Sequence, residues 1–160
     1  MIAIRQIIYW LAFAALFLAN GLVHASRPLQ IDVKQKDPSK PLVLHVRLVN
    51  TSDREIELPR FRLPWGDRYS MVIVATDISG RANPLPSAQL VSVPVTGHVS
   101  IKPGEELVGD VNLSYYAQGI SDLISRQDVL VFWWYELRTD DVSLRSSYHG
   151  ALVLSAQPGR

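Results

Sequence analysis

Asp128-Val129-Leu130-Val131-Phe132-Trp133-Trp134-Tyr135-Glu136-Leu137-Arg138, then Thr139-Asp140-Asp141, then Ser143 to Ser155, is the stretch that decides the fold. Two long runs of strand-forming residues flank a short polar cluster, which is the signature of a β-hairpin. Within the first run, side chains alternate across the strand. Phe132 and Trp134 face one way, while Val131, Trp133 and Tyr135 face the other. One set must be core. The other lies under a crossing loop or forms an exposed aromatic platform, so Trp133 and Tyr135 become a candidate binding patch if their face is the wet one.

Working outward, the same period of two recurs. Leu29 to Lys34 alternates, and Leu42 to Val49 resumes the pattern after Pro38 and Pro41, with Leu42, Leu44, Val46 and Leu48 on one face. Glu55 to Leu58 is a short strand halted by Pro59, and Tyr69 to Thr76 reads as a buried one. Leu90 to Val93, His98 to Ile101 and Leu107 to Leu113 follow, the last two separated by the turn Lys102-Pro103-Gly104-Glu105. Ser114 to Arg126 is the one plausible helical turn, kept short by Gly119. About eight short strands, with turns about every 8 to 12 residues, predict an all-β chain: a single antiparallel immunoglobulin-like β-sandwich. A small barrel is the alternative.

The chain has 160 residues, and residues 1–25 read as a signal peptide. Arg5 precedes the apolar run Ile7 to Leu18, and Val23-His24-Ala25 places small residues where cleavage before Ser26 requires them. The apolar run is shorter than the roughly 20 residues of a bilayer span, so an inner-membrane anchor follows only if the segment is left uncleaved. Residues 26–160 form one domain. The whole chain carries 16 Lys+Arg against 15 Asp+Glu; removal of Arg5 with the leader leaves 15 against 15. A neutral domain has no global field for nucleic acid or an anionic membrane. With no cysteine, disulfides and thiolate chemistry are excluded, and an exported domain without them points to the bacterial periplasm or to secretion.

No Gly-x-Ser-x-Gly elbow, His-Glu-x-x-His helix, phosphate loop or dinucleotide fingerprint occurs. His45, His98 and His149 are far apart, and the Asp140-Asp141 and Glu105-Glu106 pairs sit in turns where acids serve backbone geometry. The expectation is therefore a non-enzyme with no metal and no cofactor. The sequons at Asn50 and Asn112 are read as chance. The second candidate contact region is the loop Arg60-Phe61-Arg62-Leu63-Pro64-Trp65-Gly66-Asp67-Arg68, rich in the Arg and Trp that dominate interface hot spots. Arg60, Arg62, Trp65 and Arg68 are its expected contacts, with Pro84-Leu85-Pro86 as a neighbouring rim. A solvated crossover in which Trp65 caps the core is the plainer reading of the same loop.

Val46 to Ser52, Leu63-Pro64-Trp65-Gly66, Lys102-Pro103-Gly104-Glu105 and Val111 to Tyr116 form a succession that resembles the non-catalytic β-sandwich domain preceding deuterolysin-like metalloproteases. It is also similar to bacterial sandwich domains of the intracellular proteinase inhibitor type. The likeness spans about 70 residues, Val46 to Tyr116. It implies a sandwich that binds protein, and no catalytic residue is carried over. The expected function is thus an exported non-enzymatic sandwich binding another envelope protein, as protease inhibitor or as accessory or assembly factor. The alternative is a glycan- or cell-wall-binding module that uses the aromatic strand face.

Overall fold

The computed structural model describes residues 27–37, 39–78, 84–87 and 95–156. The proposed signal peptide and the strand expected at Leu90 to Val93 lie outside them. Eight strands are present among the described residues: β1 (Leu29–Gln35), β2 (Val43–Asn50), β3 (Ile56–Pro59), β4 (Met71–Asp77), β5 (His98–Ile101), β6 (Glu106–Asn112), β7 (Val129–Leu137) and β8 (Ser146–Leu154). They form three antiparallel sheets, ordered β1-β2-β6, β3-β5 and β4-β7-β8. Among the described residues the remaining elements are one helix, α1 (Ile120–Ile124), and three single 3-10 turns, so the described part of the chain is mostly β.

Alternation does what the pleat requires. In β2, Leu44, Val46 and Leu48 are fully buried and their neighbours are not. They meet Ile56 and Leu58 of β3, Met71, Ile73 and Ala75 of β4, and Val129, Val131, Tyr135 and Leu137 of β7 in one continuous core. Burial of this many aliphatic side chains, each contributing about 1.5–3 kcal/mol, is the main stabilising term in a chain without disulfides.

Several expected boundaries shift, each for a local polar reason. The last strand starts at Ser146 rather than Ser143, because Asp141 Oδ1 accepts from Ser143 N at 2.9 Å and starts the 3-10 turn Val142–Leu144. The fourth starts at Met71, since Asp67 Oδ1 accepts from Tyr69 N at 3.0 Å and holds the preceding turn. The expected helical stretch splits into a 3-10 turn, Leu113–Tyr115, and α1. Gly119 separates them at φ +80°, a conformation that favours glycine. Asn50, read as part of a chance sequon, is buried: its Nδ2 donates to Arg54 O at 2.7 Å and Ile101 O at 2.8 Å, tying the end of β2 to β5.

Candidate functional site

The two regions singled out in the sequence meet. A groove of about 640 Å³ runs between the 60–70 loop and the outer face of β4 and β7. Phe61, Arg62, Asp67, Tyr69 and Ser70 come from the loop side; Val72 comes from β4, Trp134 and Glu136 from β7, and Arg138 from just beyond it. The junction is a hydrogen bond across 76 residues, from Arg62 Nη1 to Arg138 O at 2.6 Å. A volume of this size falls within the usual range for a ligand cleft.

The floor is apolar and open to solvent. Tyr69 is 76% exposed, Val72 56%, Trp134 51% and Phe61 39%. Four ionised groups border it, and each is held. The Arg62 guanidinium lies 5.7 Å from the Phe61 ring centroid. Arg138 is paired with the Glu136 carboxylate. Asp67 accepts from the Tyr69 backbone. Two cations and two carboxylates sum to zero, so the groove presents hydrogen-bonding capacity without a net field. Preset side chains of this kind lower the ordering cost of binding.

Three of the four loop residues expected as contacts lie outside the groove lining. Trp65 is half-buried against the core. On β6, Gly109 lies directly opposite buried Val46, and a Cβ there would come within 2.0 Å of Trp65 Cδ2. The indole therefore fills the space that a side chain at Gly109 would occupy, which is the core-capping reading rather than the contact one. Arg60 Nε reaches His98 O at 3.4 Å, outside the groove lining. Arg68 lies 5.0 Å from the Tyr69 ring centroid, and its Nη2 donates to Ser87 Oγ at 3.0 Å. That bond joins the Arg60–Arg68 loop to Ser87, the residue after Pro84-Leu85-Pro86. Of the four, Arg62 lines the groove.

The patch conditional on an exposed Trp133/Tyr135 face does not form. Tyr135 is 1% exposed, and Trp133 is half-buried with its ring over Gly150, its direct partner on β8. Their face is the core, and the wet face belongs to Phe132 and Trp134. A signal for this was present. Glu136 and Arg138 share the parity of Phe132 and Trp134, whereas Val129, Val131 and Leu137 share that of Tyr135. Charge at the end of one register marks the solvated side. Tyr69, Val72 and Asp67 carried no comparable signal, since their place in the site depends on where β4 pairs.

The phenols behind the groove stay neutral. Burial pushes the Tyr135 hydroxyl well above the ordinary phenol range, Tyr148 adds to this, and Arg62 opposes it. Burial likewise raises Tyr116 to about 12, with Asp67 adding and Arg68 opposing. Among the described residues no group of three or more His, Cys, Asp or Glu is placed to hold a metal ion. No helix among them is long and apolar enough to cross a membrane. No known protein family matches the chain, and no curated protein matches it.

Proposed function

We propose that the chain is an exported, non-enzymatic immunoglobulin-like β-sandwich that binds another protein of the bacterial envelope through the groove between the 60–70 loop and the outer face of β4 and β7. The sandwich reading is supported by the strand orders β1-β2-β6 and β4-β7-β8, whose inward side chains share one core. Export rests on the leader grammar of residues 1–25. The observation that carries the function is the groove itself: exposed Tyr69, Val72 and Trp134 flanked by charged groups already fixed in place. Aromatic and Arg anchors on a preset surface suit recognition of a partner protein. Protease inhibition and accessory or assembly work are two forms of that role.

The test is capture from an envelope extract with the tagged full chain, expressed with its own leader, followed by mass spectrometry. The Arg62→Ala/Trp134→Ala double variant is run in parallel. Both side chains line the groove, and Trp134 is half-exposed, so the thermal midpoint should change little. One enriched protein that is lost with the double variant is the expected result. No enrichment over a tag control, or enrichment that survives the double variant, overturns the assignment.

A second reading is favoured by one feature, the half-exposed indole of Trp134 beside the Glu136 carboxylate. Sugars stack on such rings while carboxylates bond their hydroxyls. After removal of the leader the tryptophans are Trp65, Trp133 and Trp134, and Trp134 is the exposed one. A shift in emission on adding cell-wall saccharides therefore reports on this site, and its absence across a panel excludes the glycan reading.

A further inference from the structure

We infer that the outer edge of β8 pairs with the same edge of a second copy of this chain, joining two sheets into one across a two-fold axis. In the order β4-β7-β8 the last strand has a neighbour on one side. The register fixes which backbone groups face the other side. Ala75 O accepts from Leu85 N at 2.8 Å, so Ala75 points its backbone away from β7. The alternation of an antiparallel ladder then turns Val131 toward Leu152 of β8. Tyr148, Gly150 and Leu152 therefore bond to β7, while Ser147, His149, Ala151 and Val153 aim their N–H and C=O groups outward, about 6.8 Å apart. Among the described residues these outward groups have no hydrogen-bond partner, and all four residues are exposed.

Sheets guard such edges with charge, proline, short strands or a covering segment. The other outer strands of this protein obey that rule. β1 carries Asp32 and Lys34, β6 carries Glu106 and Asp110, and β4 is covered at Ala75 by the segment that holds Leu85. In the small sheet, β3 has Glu57 and Pro59, and β5 is four residues long. β8 runs for nine residues, Ser146–Leu154, without a proline, Asp, Glu, Lys or Arg. An edge left bare over that length is a template for another strand.

The sequence of β8 suits a second copy as that strand. In the antiparallel register of greatest overlap, Gly150 lies on the two-fold axis, Ser147 of one copy faces Val153 of the other, and His149 faces Ala151. Every outward N–H and C=O then meets its counterpart. No charge faces a like charge, and the domain without its leader is neutral. At the axis the two backbones come closest, about 4.5 Å between Cα atoms. Glycine stands there, and Trp133 already fills the space that its side chain would take. Because β4 is covered, each copy has one bare edge in this sheet, so pairing closes at a dimer instead of growing into a filament. The edge shares no residue with the groove lining and goes beyond the partner-binding role proposed for it.

Sedimentation velocity of the full chain, purified as the cell processes it, from roughly micromolar to roughly millimolar concentration, should show a mass rising from monomer to dimer. Ala151→Pro deletes an outward N–H that the β7-β8 ladder does not use, and Ala151→Lys sets a charge on the edge. Each should weaken the dimer by more than about tenfold, since each substitution acts twice across the axis. Circular dichroism checks the fold of each variant, and one folded variant suffices. Phe132→Ser, on the open face of β7, should leave the dimer intact. Amide exchange at Ser147, His149, Ala151 and Val153 should slow in the dimer relative to the dilute monomer, and this pattern decides if both edge variants unfold. A monomer at every concentration, a dimer indifferent to a folded edge variant, or outward amides left unprotected overturns the inference. A dimer lost with Phe132→Ser but kept with Ala151→Pro moves the contact to the sheet face and also overturns it. Failure to capture an envelope partner has no bearing on this outcome, so the two readings fall separately.

Discussion

A methyl group at Gly109 would fall 2.0 Å from Trp65 Cδ2, and one at Gly150 would fall 2.6 Å from Trp133 Cζ2. Each indole thus depends on a neighbouring strand with no side chain at that point. Gly109→Ala must displace Trp65 from the core edge, and such overpacking costs about 1–3 kcal/mol. Denaturant unfolding followed by tryptophan emission measures both the loss and the displaced ring. An unchanged midpoint would mean that the indole swings aside freely. The Tyr135 hydroxyl presents the opposite case. It is buried, and among the described residues it has no hydrogen-bond partner. Leaving a polar group unsatisfied in a core costs about 1–3 kcal/mol, so Tyr135→Phe should be neutral or stabilising by up to about that amount. A loss greater than about 1 kcal/mol in the same measurement would show that the hydroxyl is bonded after all.

Paired strands carry their own chemistry. On the β2-β6 ladder His45 faces Asp110, and its Nδ1 lies 3.1 Å from the carboxylate, which also accepts from Lys36 Nζ. The Lys36 bond, then the His45 bond, hold Asp110 below its ordinary value of 3.8. A carboxyl depressed by folding adds stability that is present above its unfolded value and lost as pH falls through the lower folded one. The urea midpoint of the parent chain should therefore fall between about pH 5 and about pH 2, and Asp110→Asn should flatten part of that slope. The effect is small because the carboxylate is 40% exposed and screened. Equal slopes in the two proteins would assign the acid response elsewhere. The element scale is also where the sequence was most readable. Alternation found β1, β2, β3 and β5 within a residue or two, since one face of each must be apolar. The starts of β4 and β8 fall two and three residues later than alternation places them, because Asp67 and Asp141 cap turns with side-chain oxygens, a competition that hydropathy does not record.

At the scale of the molecule, what could be read was the inventory of strands and the β7-β8 hairpin, and what could not was which of the other strands meet. The groove joins Arg62 to Arg138 and Val72 to Trp134, pairs far apart in the chain, so neither half reads as a site without the other. Trp65 was the opposite: its chemistry suggested a contact, but a glycine on a distant strand draws it inward. One long-range tie runs from Leu29 N to Tyr148 Oη, 3.0 Å across 119 residues, with the Arg27 guanidinium over the same ring. This sets an order of events. Synthesis releases β1 and β2 well before β8, so β1 can pair with β2 long before its tie to the second sheet can form. A chain halted anywhere before Tyr148 loses more than its final strand: β1 stays paired with β2, but its hydrogen bond to the other sheet is gone.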